Sequence, residues 1–409
     1  MNSACRFCRA PLEHVFADLG MSPLANSYLP AAKANAMEPF YPLRAFVCAR
    51  CFLVQLEEFE SPEHIFSDYA YFSSYSTSWL EHSRRYVEQM IQRFGYDSET
   101  KVVELASNDG YLLQYFRERG VPVLGIEPAA NVAETAEQRG VPTLVQFFGR
   151  ETARSIADEH SADLLIGNNV LAHVPDLNDF VDGMKILLKP GGVITMEFPH
   201  LLRVIEECQF DTIYHEHFSY FSFSTARRVF AHHGLKLWDV EELPTHGGSL
   251  RIFGAHANDE DKAETDRAVE AVARERAAGF DTVDAYLDYS GRVREDKREV
   301  LSFLIDLKRQ GHAIAGYGAP AKGNTLLNYC GVGTDFIDYT VDVNPHKQGQ
   351  LLPGSHIPIR APEELRRTRP DVVLILPWNL RDEVMEQHAY VREWGGRFAA
   401  RSPRIQLLP

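Results

Sequence analysis

No run of 18 or more apolar residues occurs in the 409-residue chain, so no segment is expected to span a membrane. Positive charge is in short supply: 42 Lys and Arg face 57 Asp and Glu, a formal net charge of -15. A polyanion or an anionic bilayer would be repelled overall, which argues against nucleic acid or membrane as a partner and leaves room only for a local basic pocket. The opening MNSACRFC has no basic segment followed by an apolar one, so no secretory signal is read there and a cytoplasmic, reducing setting is expected. Repeats of solenoid period and low-complexity tracts are also missing. What is present is the composition of a globular protein, 45% hydrophobic and 24% charged, at a length that predicts two or three domains.

There are only six cysteines, read as thiols or metal ligands before disulfides. Four fall in two C-x-x-C pairs, Cys5/Cys8 and Cys48/Cys51. Two such knuckles can bring four thiolates together tetrahedrally on zinc. The gap between them exceeds that of an ordinary zinc ribbon, so a folded insert is needed to join them. Neither pair opens a helix in the way a redox C-x-x-C does. Four thiolates leave no open coordination position, so the zinc is expected to be structural and to contribute to folding directly. Cys208 and Cys330 read as single buried thiols.

From residue 101 strand and helix alternate. Strands are expected at KVVEL, VPVLGIEP, VPTLVQ, ADLLIGNNV and GGVITMEFP, with a KPGG turn before the last. A parallel sheet with helices on both faces follows. Ahead of it lies a Tyr- and Ser-rich segment, SPEHIFSDYAYFSSYSTSW, read as a lid or ordered surface, and a helix over about 79–94. A charged stretch from about 258 reads as solvated connecting helix. Alternation then resumes with HAIAGYG, FIDYTVDVN and DVVLILPWN, a second Rossmann-type unit.

The fingerprint G-x-G-x-x-G is missing from the first strand–helix turn. Glu104 sits near the end of the strand and Ala106, Asn108 and Gly110 lie in the turn. A tight turn at this edge lets the backbone approach a ligand. Glu127, followed by Pro128, closes the second strand, where a carboxylate can hydrogen-bond both hydroxyls of a ribose. A nucleoside without phosphates needs no pyrophosphate cradle. Asn168 and Asn169 end the fourth strand, His173 follows, and the KPGG turn comes next. This ordered set resembles the S-adenosylmethionine-dependent methyltransferases.

The whole chain resembles a narrower family, the sugar C-methyltransferases that place a branch methyl on nucleotide-linked keto sugars, of the tetronitrose and mycarose pathway type. The likeness lies in the double C-x-x-C start, DLG-x-x-P-L-A-N from Asp18 to Asn26, the lid, and NNVLAHVPDL. DTIYHEHFSYFS, THGGSLR at 245–251 and GYGAPAKGNT at 316–325 complete it. The resemblance implies His217 as the base that removes a proton beside a ketone. Tyr214 and Glu216 position or polarise the sugar, His173 reaches its oxygens, and Tyr71 makes a lid contact. Relatives often carry histidine where this chain has Phe72. The GYGAPAKG loop, with Gly318, Lys322 and Asn324, is implied to hold the pyrophosphate. Asn344 and Trp378 are possible nucleoside contacts, and Arg251 is a second candidate phosphate ligand. Were 214–217 a regular strand, His215 and His217 would share one face and Glu216 the other. A turn is therefore expected, with His215 structural.

The expected fold class is α/β in three parts. A zinc-binding N-terminal module covers 1–65, and a central Rossmann-like class I methyltransferase domain covers 66–257, with its lid at 66–95. Linker helices and a C-terminal Rossmann-like nucleotide-sugar-binding domain cover 258–409. The expected activity is methylation of a nucleotide-linked 4-keto-6-deoxy sugar at carbon 3, with S-adenosylmethionine as donor and no protein partner implied. The alternatives are O- or N-methylation of another small molecule, or a non-enzymatic zinc-ribbon binding protein. A nicotinamide-dependent oxidoreductase through the GYGAPAKG loop is a third.

Overall fold

The computed structural model describes residues 4–61, 72–401 and 403–408. The chain divides into two compact units. One comprises Met1–Leu12, Cys48–His200 and Phe218–Thr282, the other Glu13–Val47, Leu201–His217 and Val283–Pro409.

The first unit is built on a seven-stranded sheet. Its spatial order is Leu235–Leu243, Ser249–His256, Leu188–Pro199, Ala162–Asn168, Val102–Leu105, Val123–Ile126 and Thr143–Leu144. The last five run parallel, and Ser249–His256 is antiparallel to both of its neighbours. Central parallel strands are covered on both faces, which is why Val102, Val103 and Leu105 are all buried and apolar. Glu104 stands among them at the carboxyl edge. The antiparallel hairpin brings the turn at 244–248 to the same edge.

The helix Thr77–Phe94 starts where the Ser76 hydroxyl accepts from the Trp79 amide, and stops at Gly95, whose φ of 72° is left-handed. Its buried face of Trp79, Tyr86, Val87 and Met90 packs in one cluster with Val102, Leu164 and Ile166. Burying each such side chain is worth roughly 1.5–3 kcal/mol.

Two expectations change here. KPGG is not a turn ahead of the strand but lies inside the strand Leu188–Pro199, at a shift in its pairing register. Leu188 already pairs with Ala162, and pairing resumes at Val193 with Leu164. The charged stretch is also not wholly solvated. It forms Asp266–Ala277, Asp284–Leu287 and Tyr289–Arg309, and its Glu275 and Asp296 are buried. Glu275 accepts from the Phe223 and Ser224 amides at 2.6 and 2.8 Å and pairs with His200 at 2.8 Å. It thereby caps the helix Phe223–His232 from outside. Asp296 pairs with Arg401 at 2.5 Å.

The second unit has a Rossmann-like sheet. Ile359–Arg360, Thr340–Val341, Ile314–Tyr317, Val372–Ile375 and Arg397–Arg401 run parallel, and Ile405–Leu408 adds an antiparallel edge. The antiparallel pair His14–Ser22 and Tyr41–Val47, drawn from the segment between the two cysteine pairs, belongs to this unit. Among the described residues, no helix is long and apolar enough to cross a membrane.

Candidate active site

The Sγ atoms of Cys5, Cys8, Cys48 and Cys51 all lie within 4.8 Å of one another. Cys5–Cys51 and Cys8–Cys48 are 3.5 Å apart. A zinc–sulfur bond of about 2.3 Å implies tetrahedral edges of about 3.8 Å, so the four sulfurs fit zinc. Both knuckles are wound alike. The Arg9 amide donates to the Cys5 carbonyl and the Phe52 amide to the Cys48 carbonyl. Arg9 and Phe52 take φ of 60° and 62°, a left-handed strain accepted twice to aim the sulfurs. Hydrogen bonds from Cys48 and Cys51 push the Cys5 thiol far below its ordinary value. The knuckle also docks on the sheet-bearing unit. Arg6 donates to the Pro175 carbonyl at 2.7 Å, and Asn178 donates to the Phe7 carbonyl at 3.1 Å. Cys208 and Cys330 are buried and unbridged.

The turn after Val102–Leu105 has left-handed residues at alternate places: Ala106, Asn108 and Gly110, with φ of 53°, 50° and 74°. The sequence lacks the glycines, but the backbone takes the curvature they would permit. At Gly110 a Cβ would come within 3.0 Å of the Val141 side chain, so glycine is required on two counts. Glu127 braces the turn: its carboxylate accepts from the Asn108 and Ala129 amides, each at 2.9 Å. Burial nevertheless pushes Glu127 up to about 7 against these two bonds. Glu104 is wholly buried and raised well above the usual carboxylate range by desolvation. Neither of its oxygens has a hydrogen bond of good geometry among the described residues, although the Tyr111 hydroxyl opposes the rise. Pro128 leads from Glu127 into the helix Ala130–Gln138.

Asn168 closes its strand opposite Glu197, and Asn169, with φ of 54°, donates its amide to the Glu197 carbonyl at 2.7 Å. His173 ends the short helical turn Leu171–His173 and is half-buried. The Ser73–Tyr75 turn is fastened to the turn after Val102–Leu105. Its Ser73 amide donates to Asn108 Oδ1 at 2.9 Å, and the Ser74 hydroxyl bonds Asp109. Tyr69 and Tyr71 lie outside the described residues.

In the second unit, residues 214–217 form a turn closed by the His217 amide on the Tyr214 carbonyl at 2.9 Å. His217 Nδ1 lies 2.9 Å from the Thr212 carbonyl and Nε2 lies 2.8 Å from the Tyr214 hydroxyl. A carbonyl only accepts, so Nδ1 carries the proton and Nε2 presents its lone pair. Glu216 is buried with both oxygens on Asn26 Nδ2, at 2.7 and 2.9 Å. Burial pushes Glu216 up to about 7, opposed by the Asn26 bond and the Lys347 charge. His215 turns elsewhere, to the Pro42 carbonyl at 3.2 Å. Asn26 stands in the quoted DLG-x-x-P-L-A-N segment, but nothing local marks it as the partner of Glu216.

The loop after Ile314–Tyr317 supports this turn. Thr325 donates to the Ile213 carbonyl at 3.1 Å, and Asn324 is buried, donating to the Ala25 carbonyl at 2.6 Å. Gly318, with φ of 86°, leaves no space for a Cβ, which would meet Pro377 Cδ at 2.6 Å. Lys322 lies over the Trp378 ring at 4.4 Å and donates to Asn379 Oδ1 at 2.8 Å. Burial lowers it to about 8. Trp378 donates to Asp211 Oδ2 at 2.6 Å, and Asn344 donates its amide to Asp342.

Arg251 is not brought to that loop's chemistry by any bond it makes. It is buried in the first unit, 3.1 Å from both Glu197 and Glu241 and 4.6 Å over the Tyr86 ring. Glu197 also binds His82 Nε2 at 2.9 Å and the Thr245 hydroxyl at 2.8 Å. His82, Arg251 and Thr245 overcome the effect of burial and hold Glu197 down to about 2. Sequence reasoning passed over Glu197 and His82; the available signal was a third acid near a strand end, after Glu104 and Glu127.

Family models match in three consecutive stretches: a zinc binding domain at 5–66, a methyltransferase domain at 79–240, and the C-methyltransferase C-terminal domain at 244–403. The chain is 36% identical over 405 residues to the C-methyltransferase NovU of Streptomyces niveus, covering 99% of this chain and 96% of that one. It is 29% identical over 110 residues to the ubiquinone biosynthesis O-methyltransferase of Pectobacterium atrosepticum, 24% of this chain and 46% of that one. Among solved structures, magnesium protoporphyrin IX methyltransferase of Synechocystis PCC 6803 with bound SAM aligns with a TM-score of 0.33 at 12% identity. That alignment covers 43% of this chain and 79% of that one. With a four-cysteine zinc site, a methyltransferase sheet and near full-length likeness to a C-methyltransferase, the chain belongs to the zinc-containing, S-adenosylmethionine-dependent C-methyltransferase family.

Proposed function

We propose that this enzyme methylates carbon 3 of a nucleotide-linked 4-keto-6-deoxy sugar, with His217 as the base. The observation that carries this reading is the fixed tautomer of His217. Its Nδ1–H is directed at the Thr212 carbonyl, so Nε2 is ready to take a proton. A hydrogen beside a ketone is acidic enough for imidazole if the enolate oxygen is stabilised. The Tyr214 hydroxyl, now on Nε2, is the donor that turns to that oxygen when the sugar enters. Glu216, raised to about 7, holds a sugar hydroxyl, and His173 binds a further sugar oxygen.

S-adenosylmethionine supplies an electrophilic methyl on a sulfonium when bound. Glu127 takes its ribose hydroxyls, and the turn of Ala106, Asn108 and Gly110 follows its contour. Glu104, Pro128, Asn168 and Asn169 complete the wall. The loop of Gly318 and Lys322 takes the sugar nucleotide's pyrophosphate, where glycine lets the backbone approach an anion and the ammonium adds charge. Asn324 serves there by holding the loop in shape, and Tyr71 belongs to the lid. The domain limits proposed are 1–65, 66–257 and 258–409.

The test is a panel of nucleotide keto sugars incubated with methyl donor and read by mass and carbon NMR. The reading expects the mass of one added methylene with a new carbon–carbon bond at C-3. Methylation of oxygen or nitrogen alone overturns it.

A further inference from the structure

The THGG turn at 245–248 has a geometry that donor binding and proton removal do not explain. His246 is a non-glycine residue at φ 55°, followed by Gly247 at 91° and Gly248 at 111°. The two glycines adopt such backbone freely, so the strain falls on His246, and the turn is fixed from both sides. The Thr245 hydroxyl donates to the buried Glu197 carboxylate at 2.8 Å. The His200 amide donates to the Gly248 carbonyl at 3.0 Å, and the Gly248 amide closes the turn on the Thr245 carbonyl at 2.9 Å. Glu197 itself is pinned by His82 and Arg251 at 2.9 and 3.1 Å.

The ring so placed stands at the carboxyl edge of the parallel strands. It meets Trp79 edge-on, with centroids 5.1 Å apart, and Trp79 stacks with Tyr111 at 6.0 Å. The Tyr111 hydroxyl in turn is influenced by Asn168 and Glu104, at two neighbouring strand ends. A continuous wall therefore runs from the donor-side turn to His246. Within it Glu197, Arg251 and His82 bind one another, and His246 is half-buried on a turn held in a strained conformation.

We propose that His246 is a further acceptor-binding residue, whose imidazole donates a hydrogen bond to an oxygen of the methyl acceptor. The inference rests on the reading that the donor occupies this strand edge and that the acceptor is a keto sugar. Glu197 and Thr245 are positioning residues that act through His246.

Two variants test it, using the full zinc-loaded chain and whichever panel sugar the wild type methylates. His246→Asn keeps a donor and tolerates the left-handed backbone, whereas His246→Gly relieves the strain and removes the ring. The expected order of acceptor KM is wild type, then Asn, then Gly, with Gly at least tenfold above wild type. Binding of S-adenosylhomocysteine by calorimetry stays within twofold, and the melting temperature of the Gly variant does not fall. The inference is overturned if both variants keep the wild-type KM, or if S-adenosylhomocysteine affinity drops in step with it. A wild type that methylates no sugar of the panel overturns the keto-sugar reading itself, and this inference with it.

Discussion

The hydroxyl of Tyr214 and Nε2 of His217 stand 2.8 Å apart, while the opposite ring nitrogen lies 2.9 Å from the Thr212 carbonyl. The pair sits in a turn, so both side chains come to one side. Here the Nε2 lone pair accepts from the Tyr214 hydroxyl; in the proposed reaction it takes a proton while that hydroxyl donates to an oxyanion. Loss of an oxyanion donor typically costs about 10²–10³ in turnover. Tyr214→Phe should therefore lower kcat by about that factor and leave S-adenosylhomocysteine binding unchanged. Steady-state kinetics with calorimetry checks both. Unchanged kcat would remove Tyr214 from the chemistry.

Glu216 carries a pH signature. Its carboxyl is raised from 4.5 to about 7, chiefly by burial. The native state therefore holds this proton more tightly than the unfolded state does. The resulting stability is complete below about 4.5 and is lost as pH rises through about 7. A carboxyl shifted this far gives an upper limit of about 3 kcal/mol. Glu216→Gln should remove that pH dependence, so the variant gains on the wild type in unfolding experiments between pH 5 and pH 8. Asn26→Ala removes a bond that lowers the Glu216 pKa, so the acidic limb of kcat/KM should move to higher pH. A limb that stays in place or moves down contradicts the assignment.

Zinc is structural on this account because its four thiolates are all supplied by Cys5, Cys8, Cys48 and Cys51. One equivalent of zinc per chain is expected. Stripping it with a chelator should lower the melting temperature and release the Arg6 and Asn178 contacts, and cobalt in its place should preserve turnover. Cobalt that folds the protein but abolishes turnover would give the metal a chemical part.

Arg251 separates a structural from a ligand-binding role. Breaking a buried ion pair by removing one partner costs about 3–5 kcal/mol. Arg251→Met leaves Glu197 and Glu241 without their guanidinium and should lose stability on that scale in denaturant titration. A phosphate ligand would instead keep stability and raise the acceptor KM.

The parts legible in the sequence were those whose chemistry restricts residue choice. Two C-x-x-C pairs admit few readings besides metal, and the gathering of Cys5 with Cys51 follows. Glu104 and Glu127 were visible because an acid at the end of an apolar strand has few structural reasons to be there. The YHEH turn could be argued from strand periodicity, since period two separates Glu216 from both histidines. What stayed hidden depends on distant partners. Asn26 reaches Glu216 across 190 positions, and no local pattern records that bond. Glu197 looks like any strand residue until His82 and Arg251 are seen on it. Arg251 was visible as a charge, but not as a charge already neutralised. The charged stretch after 258 read as solvated because Glu275 has no sequence mark of its bond to His200.

Proton removal by His217 is the center of the account, and hydrogen exchange measures it without methyl transfer. A thymidine diphosphate 4-keto-6-deoxy sugar that the enzyme methylates is incubated in heavy water with S-adenosylhomocysteine, and deuterium at C-3 is followed by NMR. The wild type should exchange that hydrogen and His217→Ala, folded and still binding S-adenosylhomocysteine, should not. Exchange by His217→Ala at the wild-type rate would contradict the account.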